Sequence, residues 1–118
     1  ISQTTEVADA AEEGLTIGLT KGNTTVGSGG SAPATVPLNI NTSAAGATIR
    51  ANDTTEVSVG TAVQLHSEAW NVRMPFIYLP APEDRIIIGN ALFFACQLIT
   101  APADSITMNG TIVFEELA

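Results

Sequence analysis

The chain has 118 residues, with 12 Asp+Glu against 4 Lys+Arg for a formal net charge of -8, and only 14% charged residues against 45% hydrophobic ones. A soluble domain typically carries about 25% charged residues, so this one has little charge with which to dress its surface, and its mean hydropathy is +0.27. The four basic residues, Lys21, Arg50, Arg73 and Arg85, are scattered singly, which excludes the clustered cations needed for nucleic acid or an anionic bilayer.

At this length the expectation is one domain burying roughly two-thirds of its unfolded surface. A single Cys96 excludes an internal disulfide, and one Cys with one His66 excludes an N/S zinc site within the chain. No run approaches the ~18 to 20 apolar residues of a membrane span, and no basic region precedes an apolar one at the start. Opening on Ile1 rather than Met, the chain reads as processed or cut from something larger.

Residues 1–14 carry Glu6, Asp9, Glu12 and Glu13 without a positive charge and read as an acidic linker; a short helix stopped at Gly14 is the competing reading. From Leu15 the pattern becomes strict alternation, with Leu15, Ile17 and Leu19 on one face, which predicts a half-buried strand. Lys21-Gly22-Asn23 reads as a turn, with Thr24 to Val26 pairing back, and Gly27 to Ser31 as a flexible loop. Val36, Leu38 and Ile40 alternate again, but Pro37 cannot donate to a ladder, so this strand is expected at an edge. A loop to Ala47 and a short strand at Thr48 to Arg50 follow.

Val57, Val59, Val63 and Leu65 keep period two through Gly60, where the glycine is expected to mark a bulge. Trp70, Val72, Met74 and Phe76 form a further period-two set, interrupted by Pro75, and Ile77-Tyr78-Leu79 continues to the turn Pro80 to Asp84. Ile86 to Ile88 and Ala91 to Ile99 are nearly all apolar, which predicts burial on both faces, as in a central strand or one covered by a partner. A helix also fits Leu92, Cys96 and Ile99, but the β-branched triplet and Phe93-Phe94 favour strand. Ser105 to Phe114 reads as the last strand. Many short strands separated by turns at this spacing indicate an all-β sandwich or barrel.

The chemistry on offer is thin. His66 alternates with Leu65 and is expected to face solvent, and no nucleophile elbow or phosphate-cradling motif is present. Cys96, in apolar surroundings, is expected to keep a raised pKa and act as a small hydrophobe. The pairs Glu12-Glu13, Glu83-Asp84 and Glu115-Glu116 are neighbours that a strand would point to opposite faces, so they make no acid/base dyad. The expectation is no enzyme activity, no catalytic residue and no cofactor. A divalent cation such as calcium is the alternative use for loops such as Asn52-Asp53 or Pro82-Glu83-Asp84. The N-x-[ST] triplets at Asn23, Asn41, Asn52 and Asn109 follow from strand-rich threonine. Interface-type residues concentrate in one place: Trp70, Met74, Phe76 and Tyr78 supply the aromatics and methionine enriched where proteins meet, and a homodimer is expected to use part of Trp70 to Leu79.

From Gly60 onward, the run GTAVQLHSEAWNVRMPFIYLPAPEDRIIIGNALFFACQLITAPADSITMNGTIVFEELA resembles the end of a small icosahedral RNA virus coat protein, with the closing strand at Thr107 to Leu117. Together with the length and the acidic opening, the chain resembles the C-terminal protruding domain of a nodavirus capsid protein, most like those of the shrimp nodaviruses. The resemblance covers about half the chain. It implies a jelly-roll-like antiparallel β-sandwich over 15–118, paired as a dimer on the outer capsid surface of the virion, attached to the rest of the capsid shell and meeting an unknown host-cell receptor. The RNA-binding arm and shell of that family have no counterpart here, in keeping with the -8 charge. A secreted bacterial adhesin or carbohydrate-binding β-sandwich is the alternative class, and would want exposed aromatics or an open sheet edge.

Overall fold

A computed structural model of the chain describes the backbone of residues 2–5 and the whole of residues 13–103, 106 and 108–117. It is an all-β, antiparallel domain. Among the described residues, strands run in the order β1 (Ser2–Thr5), β2 (Gly14–Thr25), β3 (Ser58–Asn71), β4 (Phe76–Ile77), β5 (Phe93–Leu98) and β6 (Met108–Thr111), with a short 3-10 turn at Pro82–Asp84. They form two three-stranded sheets, β4-β1-β6 and β3-β2-β5.

The alternation from Leu15 explains why β2 is the centre of its sheet. Leu15, Ile17 and Leu19 are almost wholly buried, so one face of β2 is core. Before the register shift at Gly22, its odd-numbered backbone groups face β3 and its even-numbered ones face β5: Val72 N donates to the Glu13 carbonyl on one side and Ile99 N donates to the Thr16 carbonyl on the other. The core gathers Leu15, Ile17, Trp70, Val72 and Phe76, with Tyr78, Cys96, Leu98, Ile106 and Met108 packed around them. Phe76 belongs to one sheet and Leu15, Ile17 and Trp70 to the other, so residues from both sheets meet there.

Several expectations are corrected. The residues expected as linker contribute β1, whose Ser2–Thr5 pairs with both β4 and β6, while Glu13 and Gly14 are already engaged with the end of β3 and the turn after it; residues 6–12 lie outside the described ones. Strand pairing draws on backbone groups that every residue carries, so a segment without apolar mass can still be zipped between two partners. Lys21-Gly22-Asn23 is no turn: β2 runs straight through it. Gly22, at φ 105°, sits at a register shift opposite Thr61 and Ala62, so its freedom serves a bulge. The bulge expected near Gly60 is therefore present. Gly27 to Ser31 is pinned rather than free, through bridges Ser28 to Thr55 and Ser31 to Ala51.

The segments at Val36 to Ile40 and Thr48 to Arg50 form no strand, and neither does Ile86 to Ile88. The set from Trp70 to Phe76 is broken by a tight turn in which Met74 N donates to the Asn71 carbonyl. Of the apolar run Ala91 to Ile99, Phe93–Leu98 is a strand as expected, but it lies at the edge of its sheet, and every side chain in it is only half-buried.

Candidate interaction surface

The four residues expected at an interface divide. Trp70 and Phe76 are core, 4% and 1% exposed, and offer nothing to a partner. The turn at Asn71 to Met74 brings this about: the chain doubles back from β3 into β4, so both aromatics fold onto Leu15 and Ile17, and the Trp70 indole Nε1 donates to the Met74 carbonyl at 2.6 Å. The period-two pattern is the same for a continuous strand and for a strand end, a turn and a second strand, so the doubling back left no mark in it. Met74 remains outside at 60% exposure, joined by Ile77 and Leu79. Tyr78 is half-buried beside His66, ring centroids 5.1 Å apart.

His66 lies opposite Leu19, a residue of the core face. An extra residue, Leu65, is accommodated at the register shift between Leu19 and Thr20, so its neighbour His66 does not simply face away. Its ring is within 2.9 Å of a Glu68 carboxylate oxygen. Burial pushes the Cys96 thiol above its ordinary value of 9.0, as expected for a cysteine paired with Leu19 on the core face.

The acidic loops have different fates. Asp53 is held by Arg50 at 2.8 Å and by the Gly30 N–H at 3.0 Å. The Arg50 hydrogen bond is the larger cause of the lowering of its pKa from 3.8. With its oxygens committed to an arginine and a backbone donor, Asp53 fastens the loop closed rather than presenting a free ligand. No group of three or more His, Cys, Asp or Glu is placed to hold a metal among the described residues.

A shallow cavity of about 330 Å³ is lined by Lys21, Val63, Ile87, Ile88 and Leu92 among others, with the Lys21 ammonium donating to the Ile87 carbonyl at 3.2 Å. Large apolar side chains are uncovered elsewhere as well, at positions the sequence did not mark. Val36, Leu38, Ile87, Leu79, Val113 and Leu117 are all more than two-thirds exposed. The sequence signal was the low charge fraction; it gave the amount of uncovered apolar surface but not its place. No family model, no curated protein and no solved structure matches this chain.

Proposed function

We propose that this chain is the surface, protruding domain of a nodavirus-like capsid protein, a β-sandwich that pairs as a dimer on the virion and mediates attachment to the host cell. The observation that supports it best is the surface. The domain exposes 8271 Å², whereas a compact monomer of 12.2 kDa is expected to expose roughly 6,100 Å². The excess, roughly 2,200 Å² per chain, is well above the ~800 Å² that one partner contributes to a standard interface, so it marks surface left uncovered rather than the size of one contact, and large apolar side chains contribute to it. An acidic, all-β domain with uncovered apolar surface suits a structural and recognition role. The adhesin or sugar-binding reading is weaker, because Trp70 and Phe76 are buried and supply no stacking platform.

Sedimentation from micromolar to millimolar concentration tests the reading: a monomer to dimer shift is expected. A strictly monomeric chain across that range would remove the spike-dimer mechanism.

A further inference from the structure

One sheet edge is unprotected. β5, FFACQL, carries no charge and no proline, the devices with which proteins usually blunt an edge. The opposite edge, β3, displays His66 and Glu68 and is bulged; β4 has only two residues, and β6 is four residues with a glycine. Because Ile99 bonds Thr16 of β2, antiparallel alternation turns the odd-numbered backbone groups of β5 toward β2 and leaves those of Phe94, Cys96 and Leu98 pointing outward. Among the described residues nothing bonds them. Cys96 and Leu98 pair with Leu19 and Ile17 and share their face, which is the core face, and Phe94 has the same parity.

The same chain holds a segment of matching chemistry. Between the Ser31 to Ala51 bridge ends lies a loop of roughly twenty residues without regular structure, beyond the length at which such loops become uncommon in compact domains. Val36 and Leu38 within it are 84% and 90% exposed. Its prolines, Pro33 and Pro37, are both odd-numbered, and Ala34, Val36 and Leu38 are all even-numbered. In an extended strand each residue turns its N–H and C=O to one side, so the even residues can pair with an edge while the missing proline donors face away. One parity thus satisfies two independent demands. With its even backbone groups bonded to Phe94, Cys96 and Leu98, the segment also lays Val36 and Leu38 on the core face.

We infer that residues 32–38 of one copy add as a strand to β5 of a second copy, extending the sheet and covering the apolar side chains of both. The exchange is reciprocal, which closes it into a dimer, and the prolines on the outer side stop a further strand from joining. The inference rests on the self-association proposed above and specifies how it is made.

Proline parity gives the test. In the full chain, Val36→Pro removes a donor from the pairing side and should weaken the dimer about tenfold or more, since each dimer loses a bond at two sites. Thr35→Pro removes one from the outer side and should leave dimerisation within about threefold of the original. Both changes lie in a segment without regular structure; Thr35→Pro also removes the bond its hydroxyl donates to the Ala45 carbonyl at 2.9 Å, a loss that Thr35→Val reads alone, and an unchanged melting temperature of the dilute monomer checks that folding is intact. Amide exchange read alongside should show Phe94, Cys96 and Leu98 protected in a concentration-dependent way in the original chain and unprotected with Val36→Pro. A dimer equally tight with Val36→Pro would overturn the exchange while leaving the spike reading standing. Protection independent of concentration would place the segment on its own β5 and overturn it too. A monomer at every concentration would remove both readings.

Discussion

Two glycines in β2 show how much a local contact decides. A Cβ on Gly22 would lie 2.2 Å from the Thr61 carbonyl oxygen, and φ is 105° there; at Gly14 a Cβ would meet nothing within 4 Å. Gly22→Ala should therefore cost about 2 kcal/mol or more, through strain plus a backbone clash that no rotamer relieves. Gly14→Ala should be neutral or slightly stabilising, and thermal melts of the two variants check the contrast. Val59 presents the opposite case, a β-branched residue at φ 57° with an exposed side chain. Its left-handed conformation costs on the order of 1–2 kcal/mol, so Val59→Asn should raise the melting temperature.

Two titratable groups also act through their surroundings. The Cys96 thiol, raised by burial, should be alkylated far more slowly at pH 8 in the folded chain than in urea. Its contribution to stability is complete below the unfolded thiol value and is lost as pH rises through the folded one. Asp53 runs the other way. Because its folded pKa lies below 3.8, its fastening of the loop is intact above that value and is lost only as pH falls through the folded one. Amide exchange at Gly30 should accelerate, relative to Asp53→Asn as the reference, only in that acid range.

At the scale of elements, the sequence was legible where a strand buries one face and ambiguous where backbone pairing decided. The alternation of Leu15, Ile17 and Leu19 announced β2, and Phe93-Phe94 with a β-branched flank announced β5. Neither revealed which was central, because that depends on who pairs with whom. Val36, Leu38 and Ile40 carry as clear an alternation as any strand here, yet form none within one chain, since period two states a fitness to pair and not that a partner lies within reach. β1 is the converse, a strand with little apolar content that pairs on both sides. Deleting residues 1–5 should therefore lower the melting temperature by more than ~5 °C, which for a domain of this size corresponds to roughly 1 kcal/mol. The deletion takes away the strand that, among the described residues, links β4 to β6. An unchanged melting curve would return these residues to the role of linker.

For the interaction surface, composition was informative about amount and residue type but not about position. Aromatics and Met near Trp70 fit a partner and a core equally well, and the turn at Asn71 to Met74 sent Trp70 and Phe76 to the core, leaving Met74, Ile77 and Leu79 outside. The residue types mark this turn only weakly: Asn71 stands at its first position, with its Oδ1 accepting from Arg73 N, and Pro75 follows it, while the apolar alternation runs through both.

The whole molecule sets a last constraint, through its charge. Each copy carries -8, and two copies brought together repel across whatever face they share, while the attraction comes from apolar side chains and backbone pairing. Repulsion between exposed charges is screened over a Debye length that shrinks from about 10 Å at 0.1 M salt to about 3 Å at 1 M, and hydrophobic burial is not weakened by that screening. Self-association should therefore tighten with added salt, and tighten again as pH is lowered from 7 toward the sequence pI of 4.2 and the carboxylates lose charge. Sedimentation equilibrium of the full chain in a salt series at fixed pH reads this directly: the dimer dissociation constant should fall several-fold. A dissociation constant that rises with salt would mean that ion pairs hold the copies together, and that would sink the apolar and backbone-paired contact as the source of assembly.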